Sequence, residues 1–286
     1  MRTIRFVGVS TAGSLIHEVF PRWARVLGIE AVVVGTDVPR DAPPGRYREV
    51  LGTIREDRDC LGAVITSHKT ALFSAARDEF ESLDPLAVSC REVNSVRNDS
   101  GLLRGYARDP ISVGRVVDEI WPELDADLMC IGSGGTAIAL ARHLLARGQR
   151  GRMRFVDHGT AQARHFAEIV ADDRIEAAAA PGPHDAMVAD SSPGTLIVNA
   201  TGAGKDHEGS PVTDEVQFPA ECAFWDLNYR GDLRMLAAAR AQAEDRTLRV
   251  HDGTSLFCHG WAAALTAVLD LPEDPRRAEA FAAEMP

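Results

Sequence analysis

A chain of 286 residues, 45% of them hydrophobic and 26% charged, has the composition of an ordinary globular protein of about two domains, at roughly 100–200 residues each. That much apolar material excludes a disordered chain, and the formal charge of −11 excludes the basic footprint that a duplex nucleic acid demands of a partner. The five cysteines are scattered and form no C-x-x-C, so they read as buried or incidental thiols in a reducing compartment.

In chain order, Ile4–Val9 reads as a strand and His17–Leu27 as a helix with apolar residues at helical spacing. Ala31–Gly35 is a second strand, followed by a Pro/Gly loop over Pro39–Gly45. Ala63–Thr66 is a third strand, with a helix from Thr70 to Phe80, and Ile111–Trp121 is a helix that Pro122 ends. A second unit follows: strand Asp127–Ile131, a glycine-rich turn, helix Thr136–Arg147, strand Arg152–Val156 and helix Ala161–Val170. Thr195–Asn199 and Ala223–Leu227 are later strands, and two alanine-rich helices, Asp232–Glu244 and Ser255–Leu269, close the chain. Such alternation predicts an α/β protein with an open sheet in its first half, and the second unit opens as a Rossmann-type, dinucleotide-binding fold. The N-terminus runs straight into a strand and no stretch of about 18 apolar residues occurs, so the expectation is a cytoplasmic protein with no membrane partner.

Gly132-Ser133-Gly134-Gly135-Thr136-Ala137 follows an apolar strand and opens a helix. Glycine lets a backbone turn tightly and approach a pyrophosphate, and the helix N-terminus then faces the anion. A glycine turn alone is a weak signal, since plain strand-to-helix turns also use glycine. Here Asp157 ends the next strand, about 20 residues on, where a carboxylate bonds the ribose 2′-hydroxyl of a dinucleotide. That acid favours NAD; Arg152, Arg154 and His158 beside it keep NADP open. Asn199-Ala200-Thr201 forms a further strand-end turn that borders the same crevice in a doubly wound sheet. Neither the histidines nor the cysteines carry metal-ligand spacing, and no metal is expected.

Lys69, just past the third strand, and Asp109, held extended by Pro110, are ordinary surface charges when taken singly. The chain around them resembles the shikimate/quinate dehydrogenase family over nearly its whole length. Leu61-Gly-Ala-Val-Ile-Thr-Ser-His-Lys69 is similar to the segment ending in the family's catalytic lysine. Glu92-Val-Asn94-Ser-Val resembles its V-N-T motif, and Ala107-Arg-Asp109-Pro its N-T-D-G motif. The glycine loop, Asn199-Ala-Thr and Trp225-Asp-Leu-Asn-Tyr229 are similar to its nucleotide-domain motifs.

The resemblance implies a split catalytic domain, its N-terminal substrate-binding part over 1–110 joined by a C-terminal helical segment over 245–286 that packs back on it, clasping a Rossmann domain over 111–244. It also implies reversible hydride transfer between NAD(P) and a ring carbinol, the chemistry used in aromatic amino-acid biosynthesis. Lys69 would be the acid/base, Asp109 would fix the substrate hydroxyl and the lysine, Asn94 would bond a neighbouring ring hydroxyl, and Tyr229 would line the nicotinamide side. The departures fall on substrate recognition. Where the family holds the substrate carboxylate with Ser-x-Ser-Pro, this chain has Thr11-Ala-Gly-Ser14; Arg108 replaces a threonine, and Gly260 stands where a glutamine contacts substrate, with His259 and Trp261 beside it as the new contacts. Thr11, Ser14, Arg108 and His259 are therefore the candidate substrate contacts. The implied partner is a ring polyol or hydroxy acid, on a monomer or homodimer. A cyclitol or aminocyclitol without a carboxylate is the competing substrate, and a non-catalytic dinucleotide or metabolite sensor is the competing class.

Overall fold

The computed structural model describes residues 1–205 and 208–286, and the chain divides into two compact units. The first comprises Met1–Ser112 and Cys258–Pro286, the second Val113–Phe257.

The first unit starts with β1 (Arg2–Gly8), α1 (Ile16–Leu27) and β2 (Ala31–Asp37). Next come α2 (Pro44–Glu56), β3 (Cys60–Ile65), α3 (Lys69–Ala76), β4 (Ser82–Leu83) and α4 (Pro85–Cys90). A hairpin of β5 (Ser95–Asp99) and β6 (Leu102–Tyr106) leads into α5 (Asp109–Ile120). The six strands form one sheet in the order β2-β1-β3-β5-β6-β4, in which β2, β1 and β3 are parallel and β5 runs against them. The segment after Pro39, expected to be loop up to Gly45, turns into α2 at Pro44. Proline suits the first helical turn, where its missing N–H costs nothing, and Tyr47, Val50, Leu51 and Ile54 recur at helical spacing to bury one face.

The second unit holds β7 (Leu128–Ile131), α6 (Gly135–Arg147), β8 (Met153–Asp157), α7 (Thr160–Val170) and β9 (Ile175–Ala179). It continues with α8 (Asp185–Ala189), β10 (Leu196–Asn199), β11 (Ala223–Asp226), α9 (Arg234–Ala241), α10 (Ala243–Arg246) and β12 (Arg249–His251). Its sheet, β12-β11-β10-β7-β8-β9, is parallel throughout. Read from the other edge this is the doubly wound order 3-2-1-4-5-6, so β7 and β10 flank the point where the strand order reverses. β7, β10 and β11 are buried along their whole lengths, as expected of strands covered on both faces.

The helices α11 (Thr254–Val268) and α12 (Arg277–Ala282) end the chain. Within the first unit Trp23 stacks on Phe281 at 4.4 Å and donates its indole N–H to the Phe281 carbonyl, while Trp261 packs against Phe6 at 5.4 Å. Buried aromatic surface of this kind is what ties a C-terminal segment back onto the N-terminal helix. The expected boundary at 244/245 lies earlier than the division at 257/258. Residues 249–251 supply the edge strand β12, paired in parallel with β11, rather than part of a helical tail.

Candidate functional site

In the first unit, parallel β1, β2 and β3 end at Gly8, Asp37 and Ile65. Antiparallel β5 begins at that same end, and β6 returns to it at Tyr106. Thr11, Asp37, Lys69, Asn94 and Asp109 all sit on the connections at this carboxyl edge, where open α/β sheets keep their ligand sites. Backbone bonds fix the geometry: Ile65 N–H donates to Asn94 O, Val93 N–H to Lys69 O, and Asn94 N–H to Tyr106 O.

Lys69 opens α3 and Asp109 opens α5. Forty residues apart, the lysine ammonium pairs with Asp109 Oδ2, and Asn94 Nδ2 donates to Asp109 Oδ1. Asn94 Oδ1 in turn accepts from Ser95 Oγ at 3.0 Å and from Arg108 N–H at 2.9 Å. The asparagine is thereby locked with its NH₂ group toward Asp109. Lys69 is buried. Burial works against its charge, but Asp109 and Glu92 outweigh that and hold the ammonium above the ordinary lysine range.

Sequence reasoning passed over Glu92, which is fully buried with Oε2 at 3.5 Å from Lys69 Nζ. Its signal was present two residues before Asn94. A charged residue, however, is read as exposed by default, because few are ever fully buried.

The candidate substrate contacts are differently placed. Thr11 is already engaged: its N–H and Oγ donate to Asp37 Oδ1 at 2.8 and 2.6 Å. Those bonds, the hydroxyl's first, hold the Asp37 carboxyl below its usual range. Ser14 Oγ accepts from Ile16 N–H at 3.4 Å and supports the start of α1. Arg108 is not a free anion holder, since its guanidinium pairs with Asp84 and lies 5.0 Å over the Tyr106 ring. Asp84 also caps α4 through Ala87 N–H at 2.7 Å, which fixes that arrangement. His259 is half-buried on α11, whereas its neighbour Trp261 is core. His68, beside the lysine, is a structural ring: Nε2 donates to Val38 O at 2.7 Å and Nδ1 faces the Tyr47 hydroxyl at 3.1 Å. Burial lowers its pKa, as a neutral imidazole requires.

In the second unit, Gly132, Asp157 and Ala200 stand at the carboxyl ends of β7, β8 and β10, at the strand reversal. Gly132 has φ 106, and a Cβ there would lie 2.7 Å from the Ala200 carbonyl group. Only glycine fits. Gly134, the residue before α6, is different: a Cβ there would meet nothing within 4 Å. Its missing side chain serves no packing need of the chain and leaves open space at a helix start without a side-chain cap, which suits an incoming phosphate.

Asp157 Oδ2 accepts from Ser133 N–H and Oγ at 3.0 and 2.9 Å, and Oδ1 from Gly159 N–H at 2.9 Å. The carboxylate shapes the loop and keeps a lone pair on Oδ1 for a ribose hydroxyl. Gln162 adds a bond to Ser133 O at 3.1 Å. Of the nearby cations, Arg154 pairs with Glu176 at 3.2 Å, and His158 is exposed with its ring 3.9 Å from Asp157. Thr136 lies in the first turn of α6, directly after Gly135.

Asn199 and Thr201 are occupied within the chain. Asn199 Nδ2 donates to Asp226 at 3.0 Å, and its Oδ1 accepts from Thr201 N–H and Oγ at 3.2 and 2.7 Å. Burial pushes the Asp226 carboxyl up, against these hydrogen bonds. What this turn presents to Gly132 is the Ala200 backbone. Tyr229 packs its ring on Phe257 at 4.6 Å.

No protein-family model and no curated protein sequence matches the chain. Solved structures do. Shikimate 5-dehydrogenase from Thermus thermophilus in complex with NADP(H) and shikimate is 26% identical, with all of both chains covered and a TM-score of 0.74. The same enzyme with shikimate alone aligns over 99% of this chain and 98% of that one, at 26% identity and a TM-score of 0.72. Quinate dehydrogenase from Corynebacterium glutamicum in complex with NAD shares the fold at 21% identity, 99% coverage of each chain and a TM-score of 0.72. With two α/β units, one of them of Rossmann type, matched over its whole length, the chain is similar in fold to the shikimate/quinate dehydrogenases.

Proposed function

We propose that this protein is a nicotinamide-dependent oxidoreductase that interconverts a ring carbinol and its ketone, with Lys69 as the acid/base. The observation that carries the reading is the buried Lys69 ammonium bonded to Asp109, which Asn94 holds from its other side. The solved neighbours, which act on shikimate or quinate by name and were seen with NADP(H) or NAD, support it.

The glycine turn fits a dinucleotide: Gly134 leaves room for the pyrophosphate, and the Asp157 carboxylate suits a ribose 2′-hydroxyl while repelling a 2′-phosphate. NAD is therefore the proposed cofactor. When bound, the nicotinamide gives or takes the hydride. The chain's own residues manage the proton. In ketone reduction Lys69 Nζ donates a proton to the oxygen that becomes the hydroxyl, and in oxidation it takes that proton back. Asp109 holds the lysine and accepts from the ring hydroxyl. Asn94 keeps Asp109 in place and has no spare acceptor for a second ring hydroxyl, because its Oδ1 is used twice.

A second reading of the substrate is favoured by Thr11 and Asp37. If the ring carboxylate of a shikimate-like substrate were to sit at Thr11, it would meet a donor already spent and a carboxylate already in place. That favours a neutral or amino-substituted cyclitol over a ring acid. The test is to mix the protein with NAD⁺ and, in turn, quinate, shikimate, neutral cyclitols and aminocyclitols, and to follow reduced-nicotinamide absorbance. Turnover of at least one supports the oxidoreductase. Ligand-induced thermal stabilisation without any turnover would favour the sensor.

A further inference from the structure

Glu92 is placed by the backbone. Arg91 closes α4 in a left-handed conformation, Glu92 N–H donates to Ala87 O, and Val93 N–H donates to Lys69 O at 3.0 Å. The side chain that results is fully buried, and among the described residues neither carboxyl oxygen has a hydrogen-bond partner. Its ion-pair partner among the described residues is Lys69, at 3.5 Å. The other charges bearing on it are Asp109 at the start of α5 and Asp84 at the start of α4, the latter paired with Arg108.

Two carboxylates around one buried ammonium leave a net negative charge out of water. An isolated buried charge is costly enough that such a group takes up a proton instead. Burial pushes the Glu92 carboxyl up to about 8, against the opposing pull of Lys69. The fold gains little from an acid here, since buried ion pairs are generally replaceable by apolar residues of similar volume without loss of stability. A proton stored 3.5 Å behind the acid/base is a different matter.

Building on the oxidoreductase reading, we propose that Glu92 is a positioning residue for Lys69 and its proton reserve, the rear member of a Glu92–Lys69–Asp109 relay. In ketone reduction an N–H bond of Lys69 breaks as the substrate O–H bond forms. The Glu92 O–H bond then breaks and its proton moves to Lys69 Nζ, which restores the ammonium and leaves Glu92 as a carboxylate beside it. Water returns the proton through Lys69 between turnovers. Oxidation runs the same transfers backwards. The lysine is never left neutral beside Asp109 for longer than one proton jump.

The experiment has two arms on the full-length protein. In the first, carboxyl-labelled glutamate is followed by carbon NMR from pH 5 to 10, with Glu92→Gln assigning the resonance. Glu92 is expected to titrate near 8, against about 4.3 for an ordinary glutamate, and higher still in Lys69→Met. Titration below pH 6 would overturn the relay. In the second arm, Glu92→Gln is expected to lower kcat about tenfold with KM within about twofold and to displace the pH profile, a loss smaller than that of an acid/base itself. Glu92→Asp should restore part of it. An active wild type with an unchanged kcat and pH profile in Glu92→Gln overturns the relay alone. A wild type that turns over no ring polyol overturns the oxidoreductase reading, and the relay with it.

Discussion

Thr11 gives both its backbone N–H and its hydroxyl to one oxygen of Asp37, at 2.8 and 2.6 Å. The chain has thereby placed a carboxylate of its own at the end of β2, beside the loop where a ring acid would need donors. Asp37→Asn removes that charge. It is expected to raise kcat/KM for carboxylate-bearing rings relative to neutral cyclitols by about tenfold or more, the scale of losing one opposing charge near a ligand. Steady-state kinetics on paired substrates measures it. No change in the ratio would remove Asp37 from substrate selection.

The two glycines of the turn separate a fold role from the proposed ligand role. Gly132→Ala forces a Cβ toward the Ala200 carbonyl group at a φ of 106. The backbone strain alone is expected to cost about 1–3 kcal/mol of stability, read as a lowered melting temperature. Gly134→Ala meets nothing in the chain and should melt like the wild type, yet weaken NAD binding about tenfold or more by blocking the pyrophosphate's approach. Calorimetric titration distinguishes the two. Unimpaired NAD binding in Gly134→Ala would contradict the placement of the pyrophosphate.

The proposed role of Asp157 is to set the cofactor preference. Asp157→Ser should reduce the NAD-over-NADP ratio of kcat/KM by about tenfold or more, since one charge repelling a 2′-phosphate is gone. Part of the effect will be a looser loop, because Ser133 and Gly159 lose their shared acceptor. The ratio, rather than either rate, is the informative quantity.

The direction of the pH effect follows from Lys69. Its ammonium is held above the ordinary lysine range by Asp109 and Glu92, in spite of burial. Reduction of a ketone uses the protonated form, present throughout the neutral range. Oxidation must find a vacancy for the proton, so its rate is expected to rise with pH from 6 toward the alkaline side. Asp109→Asn removes one of the two carboxylates that raise the lysine, so the rising limb should move to lower pH even as kcat falls. Initial rates in both directions across that range test the sign.

Much of the fold could be read from the sequence, and the parts that were hidden share a cause. The parallel strands β7, β10 and β11 carry the apolar runs Leu128–Ile131, Leu196–Val198 and Ala223–Trp225, which is how strands covered on both faces present themselves. Helix α2 was written in the spacing of Tyr47, Val50, Leu51 and Ile54, but the prolines before it and Gly45 in its first turn drew attention to a loop. Strand β9 is an alanine-rich run, Ile175–Ala179, with little β propensity of its own; pairing with β8 makes it a strand.

At the site, Lys69, Asn94 and Asp109 were legible because each stands in a motif. Their partners were not, because pairing depends on the sheet edge that collects the loops. Arg108 looked like a free cation until Asp84 met it, and Thr11 like a free donor until Asp37 did. Glu92 was unreadable for a related reason: no spacing rule announces that a carboxylate will be buried behind a lysine.

The most direct measurement is NAD⁺ reduction by Lys69→Ala beside the wild type, using whichever ring polyol the wild type turns over, with NAD binding measured on both. The loss of an acid/base predicts a fall in kcat of about 10²–10⁴-fold with NAD affinity within about twofold, the glycine turn being in the other unit. A Lys69→Ala protein that turns over at the wild-type rate would contradict the account at its centre.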